Sequence, residues 1–225
     1  MRVLYLHGLE ETAEAPKPAT LLGDSRFDCL CPHLGIYFTH RRSMIRYFLT
    51  SLLLPTISIG AVASYLLSAP AAVGATAALV TAGSFVMRPQ LIARAVGGSF
   101  DASYEVALDA VRMHKPDVLV GFSWGGALVC RLLVEGEYAG PVLLLAPAYR
   151  KLYMVMQRPV APVPLPEQIK VVHSQADQII AIEDSRALCR AAGIEVMEVQ
   201  GEPHKLWGIC NQLATMVLDL GNQRK

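Results

Sequence analysis

Residues 118–128 read VLVGFSWGGAL, and this stretch decides the fold class. The apolar run 118–122 predicts a buried β-strand, and residues 125–135 favour a helix directly after it. Between them, residues 121–125 match the pattern GxSxG, in which a serine lies on a sharp turn from strand to helix. The glycines two positions before and after that serine are needed because a Cβ atom at either position would meet the neighbouring backbone. The pattern alone is a weak signal, but between a strand and a helix it predicts that Ser123 is a nucleophile rather than an incidental turn serine.

The rest of the chain alternates short apolar runs with helical patterns. Such alternation is typical of a parallel sheet covered by crossover helices. We therefore expect an α/β fold in a single domain, 1–225, with a mostly parallel central sheet of about six strands flanked by helices. The predicted strands are 3–6, 27–31, 118–122, 142–146, 169–173 and 195–199. The first predicted helix runs from near Ser103 to near Pro116, and the others are 125–135, 183–192 and 207–220.

A serine hydroxyl needs a base to take its proton and a carboxylate to orient that base. In folds with this serine turn, the expected chain order is serine, then the acid, then histidine. Asp177 follows the strand 169–173 and His204 follows the strand 195–199. Both positions lie beyond the carboxyl ends of strands, where open α/β sheets build their sites. We predict that Ser123, His204 and Asp177 form a catalytic triad.

Other residues compete for two of these roles. Asp177 is also a plausible first residue of the turn into the next helix, and Glu183 or Asp184 would then take its place. His173 lies inside a strand and is the competing base, although a structural role beside Asp177 is favoured for it.

The first strand ends in the turn Leu6-His7-Gly8-Leu9. Such a turn supplies one backbone N–H to a developing oxyanion, and the residue after the nucleophile supplies a second. The predicted donors are Leu9 and Trp124. An ordinary strand-end turn is the alternative interpretation of residues 6–9.

The chain resembles the α/β-hydrolase superfamily and its small serine esterases and thioesterases. The residues that carry this resemblance are His7-Gly8, 121–126, Asp177 and His204. The resemblance covers residues 1–35 and 100–225. It implies an acyl-serine intermediate, an ester or thioester substrate and no metal or organic cofactor. The sequence departs from the family in one place, because the segment 149–167 is short and proline-rich and leaves little room for a helical cap.

The extra material lies at 41–98 instead, where residues 47–87 carry no charge. That run is long enough for two helices of about 20 residues, with a turn at Ser68-Ala69-Pro70. It predicts an inserted hydrophobic helical hairpin that associates with a membrane and delivers an acyl or lipid-like substrate. Basic residues on both sides place both ends on the cytoplasmic side: Arg41, Arg42, Arg46, Arg88 and Arg94. Whether the hairpin spans the membrane or embeds in one leaflet is left open, and the alternative to membrane association is a soluble lid or buried helices.

Composition bounds the remaining possibilities. The chain has a net charge of +1, 53% hydrophobic and 17% charged residues, which argues against disorder and against a nucleic-acid partner. Five unpatterned cysteines and an N-terminus without a secretory signal predict a cytoplasmic or cytoplasm-facing protein. Two other functions remain open: a non-catalytic, membrane-anchored interaction protein of this fold, and a soluble esterase or peptidase with the hairpin as a lid or dimer interface. The oligomeric state is left open.

Overall fold

The structure is a computed structural model that describes residues 1–9, 11–36 and 70–223, with the backbone alone for 70–88. Six strands form one parallel sheet in the order β2-β1-β3-β4-β5-β6. This arrangement confirms the predicted central sheet. The strands are β1 (Arg2–Leu6), β2 (Asp28–Leu30), β3 (Val118–Phe122), β4 (Val142–Leu145), β5 (Ile169–Ser174) and β6 (Met197–Val199).

Helices cover both faces of the sheet. Alternate residues of β1 show the two layers, since Leu4 and Leu6 join one apolar cluster and Val3 and Tyr5 the other. The first cluster is shared with α2 to α5 and the second with α1 and α6. The helices are α1 (Pro16–Leu22), α2 (Pro70–His114), α3 (Trp124–Val134), α4 (Tyr149–Val155), α5 (Ile182–Arg190) and α6 (Cys210–Asn222), the last preceded by a 3₁₀ turn, Trp207–Ile209.

Two of these helices were not predicted. Helix α1 begins with Pro16, a residue that suits the first helical turn, but it is too short for an apolar period to be visible. Helix α4 occupies the start of the segment 149–167, which the sequence indicated to be short and proline-rich. The prolines of that segment all follow α4, and residues 158–166, which contain them, form neither helix nor strand.

Helix α2 differs most from the sequence prediction. Its end at His114 agrees with the expected stop, but it begins at Pro70 rather than near Ser103 and continues through Pro89. The first half of the predicted hairpin, 41–69, lies outside the described residues, so the insertion at 41–98 stays a prediction. Among the described helices, none has both the length and the apolar character needed to cross a membrane. The membrane prediction for residues 47–87 stays a prediction, because residues 47–69 lie outside the described part of the chain.

The start of α3 packs directly against the end of β1. A Cβ atom at Gly125 would overlap the Leu6 carbonyl oxygen, and one at Gly121 would lie 2.6 Å from a methyl carbon of Val129. Neither neighbour can move cheaply, because one is sheet backbone and the other is a buried core side chain. This close packing fixes the position of the turn between β3 and α3.

We expect Gly125→Ala to destabilise the fold by about 3 kcal/mol or more, since the new methyl group must displace backbone. The matched control is Gly98→Ala in α2, where a Cβ atom would meet nothing within 4 Å. That control should stabilise the protein by about 0.5 to 1 kcal/mol through helix propensity. Urea denaturation measures both changes. Equal stability of the two variants would contradict the packing described for Gly125.

Candidate active site

Ser123 occupies a strained turn between β3 and α3. Its backbone angles are φ 51° and ψ −108°, a conformation that costs a residue with a side chain about 1 to 3 kcal/mol. Neighbouring strands hold the turn in place: the Ser123 N–H donates to the Leu145 carbonyl at 2.9 Å, and the Gly125 N–H donates to the His7 carbonyl at 3.1 Å. The strain therefore persists because the ends of β4 and β1 anchor the turn on both sides.

The structure brings Ser123, His204 and Asp177 together. Nε2 of His204 lies 2.9 Å from Oγ of Ser123, and Nδ1 of His204 lies 2.6 Å from Oδ2 of Asp177. An ionised carboxylate only accepts hydrogen bonds, so the Nδ1–H of His204 donates to Asp177. Nε2 is then free to accept the hydroxyl proton of Ser123. This tautomer is the one that a general base for a serine requires.

Asp177 has a fully buried side chain that accepts four hydrogen bonds. His204 and His173 donate to Oδ2, while the backbone N–H groups of Ile179 and Ile180 donate to Oδ1 at 2.8 and 2.9 Å. Burial acts to raise the pKa of Asp177, but these donors outweigh it and hold that pKa below its ordinary value. Asp177 is therefore a carboxylate at neutral pH.

The competing residues lie elsewhere. His173 donates through Nε2–H to Asp177 at 3.1 Å and accepts at Nδ1 from the Ser185 hydroxyl at 2.7 Å. Both of its ring nitrogens are thus engaged by other protein groups, in agreement with the structural role favoured for it. Glu183 and Asp184 pair with arginines of the outer surface, at 3.2 and 3.7 Å.

The turn after β1 has the features expected of an oxyanion site. In the described part of the chain, the backbone N–H groups of Leu9 and Trp124 donate to no protein group. His7 fixes the turn, because its Nδ1–H donates to the Gly8 carbonyl at 2.8 Å and its Nε2 accepts the Leu34 N–H at 3.3 Å. Burial lowers the pKa of His7, although the bond to Gly8 acts in the opposite direction. Sequence analysis did not assign this clamping role to His7.

A cavity of about 450 Å³ opens beside Ser123. Its walls are mostly apolar, and the indole of Trp124 forms one of them while packing edge-on against Phe100 at 5.5 Å. Helix α4, which was not predicted from the sequence, contributes Leu152 and Val155 to the lining. Among the residues that the structure describes, no group of three or more His, Cys, Asp or Glu side chains is arranged to hold a metal ion.

Comparison with solved structures identifies the architecture. A protein of the α/β-hydrolase superfamily from Xanthomonas campestris pv. campestris superposes with a TM-score of 0.55 at 16% identity, covering 99% of this chain and 98% of that one. The chain has the α/β-hydrolase fold. At this identity the likeness concerns the fold alone, so any activity must be argued from the site.

Two further solved structures match part of the chain. An α/β serine hydrolase homologue from Coxiella burnetii gives a TM-score of 0.41 at 18% identity, over 56% of this chain and 60% of that one. An α/β serine hydrolase without a lid, from Xanthomonas campestris, gives 0.37 at 18% identity, over 52% and 57%. No protein-family model and no curated protein matches the sequence.

The lowered pKa of Asp177 predicts a pH-dependent contribution to stability. The unfolded chain binds the proton more tightly than the native site, so the carboxylate stabilises the fold above its ordinary pKa of about 4 and loses this effect as the pH falls below it. We expect Asp177→Asn to lower the free energy of unfolding by about 2 kcal/mol at pH 6, with the difference from wild type shrinking toward pH 3. Urea titrations at both pH values test this, and a difference that stays constant would contradict it.

Proposed function

We propose that the protein is a serine hydrolase that cleaves an ester or thioester through an acyl-serine intermediate. The observation that carries the proposal is the continuous pair of hydrogen bonds from Ser123 Oγ to His204 Nε2, at 2.9 Å, and from His204 Nδ1 to Asp177, at 2.6 Å. Proton transfer through a positioned histidine is what turns a serine hydroxyl into a nucleophile at neutral pH.

In the proposed reaction, Oγ of Ser123 attacks the carbonyl carbon of the substrate while Nε2 of His204 takes the hydroxyl proton. The carbonyl oxygen becomes an oxyanion, which the backbone N–H groups of Leu9 and Trp124 stabilise. The tetrahedral intermediate collapses, and His204 gives its proton to the departing alcohol or thiol. Water then attacks the acyl-serine with the help of His204, which releases the carboxylic acid and restores Ser123. Asp177 remains ionised throughout and stabilises the imidazolium.

The shape and lining of the cavity support a substrate with an apolar acyl group. A volume of about 450 Å³ lies within the range of small-molecule sites. The lining that contains Ser123 also includes the aliphatic side chains of Leu152, Val155 and Ile179, which form the acyl wall of this proposal. An acyl chain bound against this wall leaves water, so its affinity should grow with the apolar area that it buries.

We expect Ser123→Ala to lower the rate of p-nitrophenyl ester hydrolysis by at least about 10³-fold while the circular dichroism spectrum and melting temperature stay close to wild type. The matched control is Ser25→Ala. It removes an exposed hydroxyl that does not line the cavity and should leave the rate unchanged. A wild-type protein without any hydrolytic activity or covalent labelling would instead favour a non-catalytic interaction domain.

The acyl wall predicts a chain-length effect. Val155→Trp should fill part of the cavity and reduce kcat/KM for p-nitrophenyl octanoate about tenfold relative to the acetate ester. Met154→Trp is the control, because Met154 precedes Val155 on the same helix, is 63% exposed and does not line the cavity. For each variant, kcat/KM is measured for both esters from initial rates at substrate concentrations well below KM. An equal loss for both esters in Val155→Trp would show that the acyl chain binds elsewhere.

A further inference from the structure

A buried ion pair borders the candidate active site, where Glu11 is one of the residues that line the cavity. Lys17, in the first turn of α1, is completely buried, and its Nζ lies 2.8 Å from Oε1 of Glu11. The same ammonium donates to the Lys205 carbonyl at 2.7 Å and lies 3.9 Å from the centre of the Phe122 ring. Burying a charge is costly unless it is paired and hydrogen-bonded. Here a carboxylate, a carbonyl and the face of an aromatic ring surround the ammonium.

Glu11 carries the network toward the turn after β1. Its second oxygen, Oε2, accepts hydrogen bonds from the Tyr5 hydroxyl at 3.2 Å and from the Gly8 N–H at 3.4 Å. Burial and the Glu11 carboxylate raise the pKa of Tyr5, so its hydroxyl remains a donor. The carboxylate of Glu11 thus ties the ammonium of Lys17 to the backbone of the oxyanion turn.

The pair contacts chain neighbours of three of the proposed catalytic groups. Lys205 follows His204, Gly8 precedes Leu9, and Phe122 precedes Ser123 in the sequence. The Phe122 ring also lies 5.2 Å from the His204 ring. Lys17 and Glu11 therefore reach the segments that hold the histidine, the oxyanion donor and the nucleophile.

The sheet alone does not fix these segments against one another. The oxyanion turn, residues 6–9, follows β1, and the histidine loop, which carries His204 and Lys205, follows β6. Three strands separate β1 from β6 in the sheet. Stability is a weak reason for placing an ion pair here, because apolar residues of similar volume often stabilise a core equally well or better. A directional link between two loops is something that apolar residues do not supply.

We propose that Lys17 and Glu11 are positioning residues that hold the histidine loop and the oxyanion turn in register around Ser123. This inference rests on the proposed function. Loss of the pair should misplace His204 and Leu9 by a fraction of an ångström or more, which affects the chemical step more than the binding of the acyl group. A misplacement of about 1 Å can cost about 100-fold in rate.

The main test is the double variant Glu11→Gln and Lys17→Met, which removes both charges and roughly preserves volume. Removing Lys17 alone would leave the Glu11 carboxylate buried and unpaired, which strongly destabilises a fold. In the folded double variant we expect kcat on a p-nitrophenyl ester to fall 10- to 100-fold with KM changed less than about twofold. The rate of fluorophosphonate labelling of Ser123 should fall by a similar factor.

The matched control removes an ion pair of the same type from the surface. Lys170 and Asp219 lie 2.9 Å apart, and neither lines the cavity. The double variant Lys170→Met and Asp219→Asn should keep the wild-type kcat, KM and labelling rate. A loss of kcat in this control as large as in the first variant would mean that the effect reflects general destabilisation, and it would overturn the positioning role.

A second variant decides the matter if the first does not fold. Glu11→Asp keeps the charge opposite Lys17 but shortens the side chain, so one carboxylate can no longer reach both Lys17 and Gly8. We expect a loss of kcat of about tenfold with KM preserved and a melting temperature within a few degrees of wild type. Wild-type kcat in either folded variant would overturn the proposal. Wild-type protein that is neither active nor labelled would instead refute the proposed hydrolase function.

Discussion

The hydrogen bond between Ser123 and His204 is the interaction on which the rest of the account depends. It joins residues 81 positions apart, one on the turn after β3 and the other on the loop after β6. The parallel sheet closes this separation by placing the carboxyl ends of both strands at one edge. The strained backbone at Ser123 and the absence of a side chain at Gly125 are local costs of that arrangement. The packing of β1, β3 and α3 compensates for them.

Charge is distributed unevenly through the interior. The cores on the two faces of the sheet are built largely from apolar side chains, whereas Asp177, Glu11 and Lys17 are buried near its carboxyl edge. Each of these groups is held by several partners, because an unpaired charge in a low-dielectric interior is expensive. The same low dielectric strengthens hydrogen bonds to the carboxylates. The charged side chains at this edge and their hydrogen-bond partners are therefore arranged by the fold itself, before any substrate binds.

Sequence information was sufficient where it was local or tied to chain order. The strand, turn and helix around Ser123 could be predicted because their signals lie within a dozen residues. Asp177 and His204 could be chosen as candidates because they follow the fifth and sixth predicted strands. Lys17 could not, since its carbonyl partner is 188 positions away and α1 is too short to show an apolar face. The uncharged run 47–87 indicated a hairpin, but hydropathy did not indicate that its second half continues into the helix ending at His114.

The most direct test of the central claim is to identify the residue that a fluorophosphonate modifies. The account predicts one phosphonylated residue in the wild-type protein, Ser123, located by mass spectrometry of the digested adduct. It also predicts that labelling becomes slow in His204→Ala, because the hydroxyl then lacks a base. Modification of a different residue, or labelling of Ser123 at an unchanged rate without His204, would contradict the account.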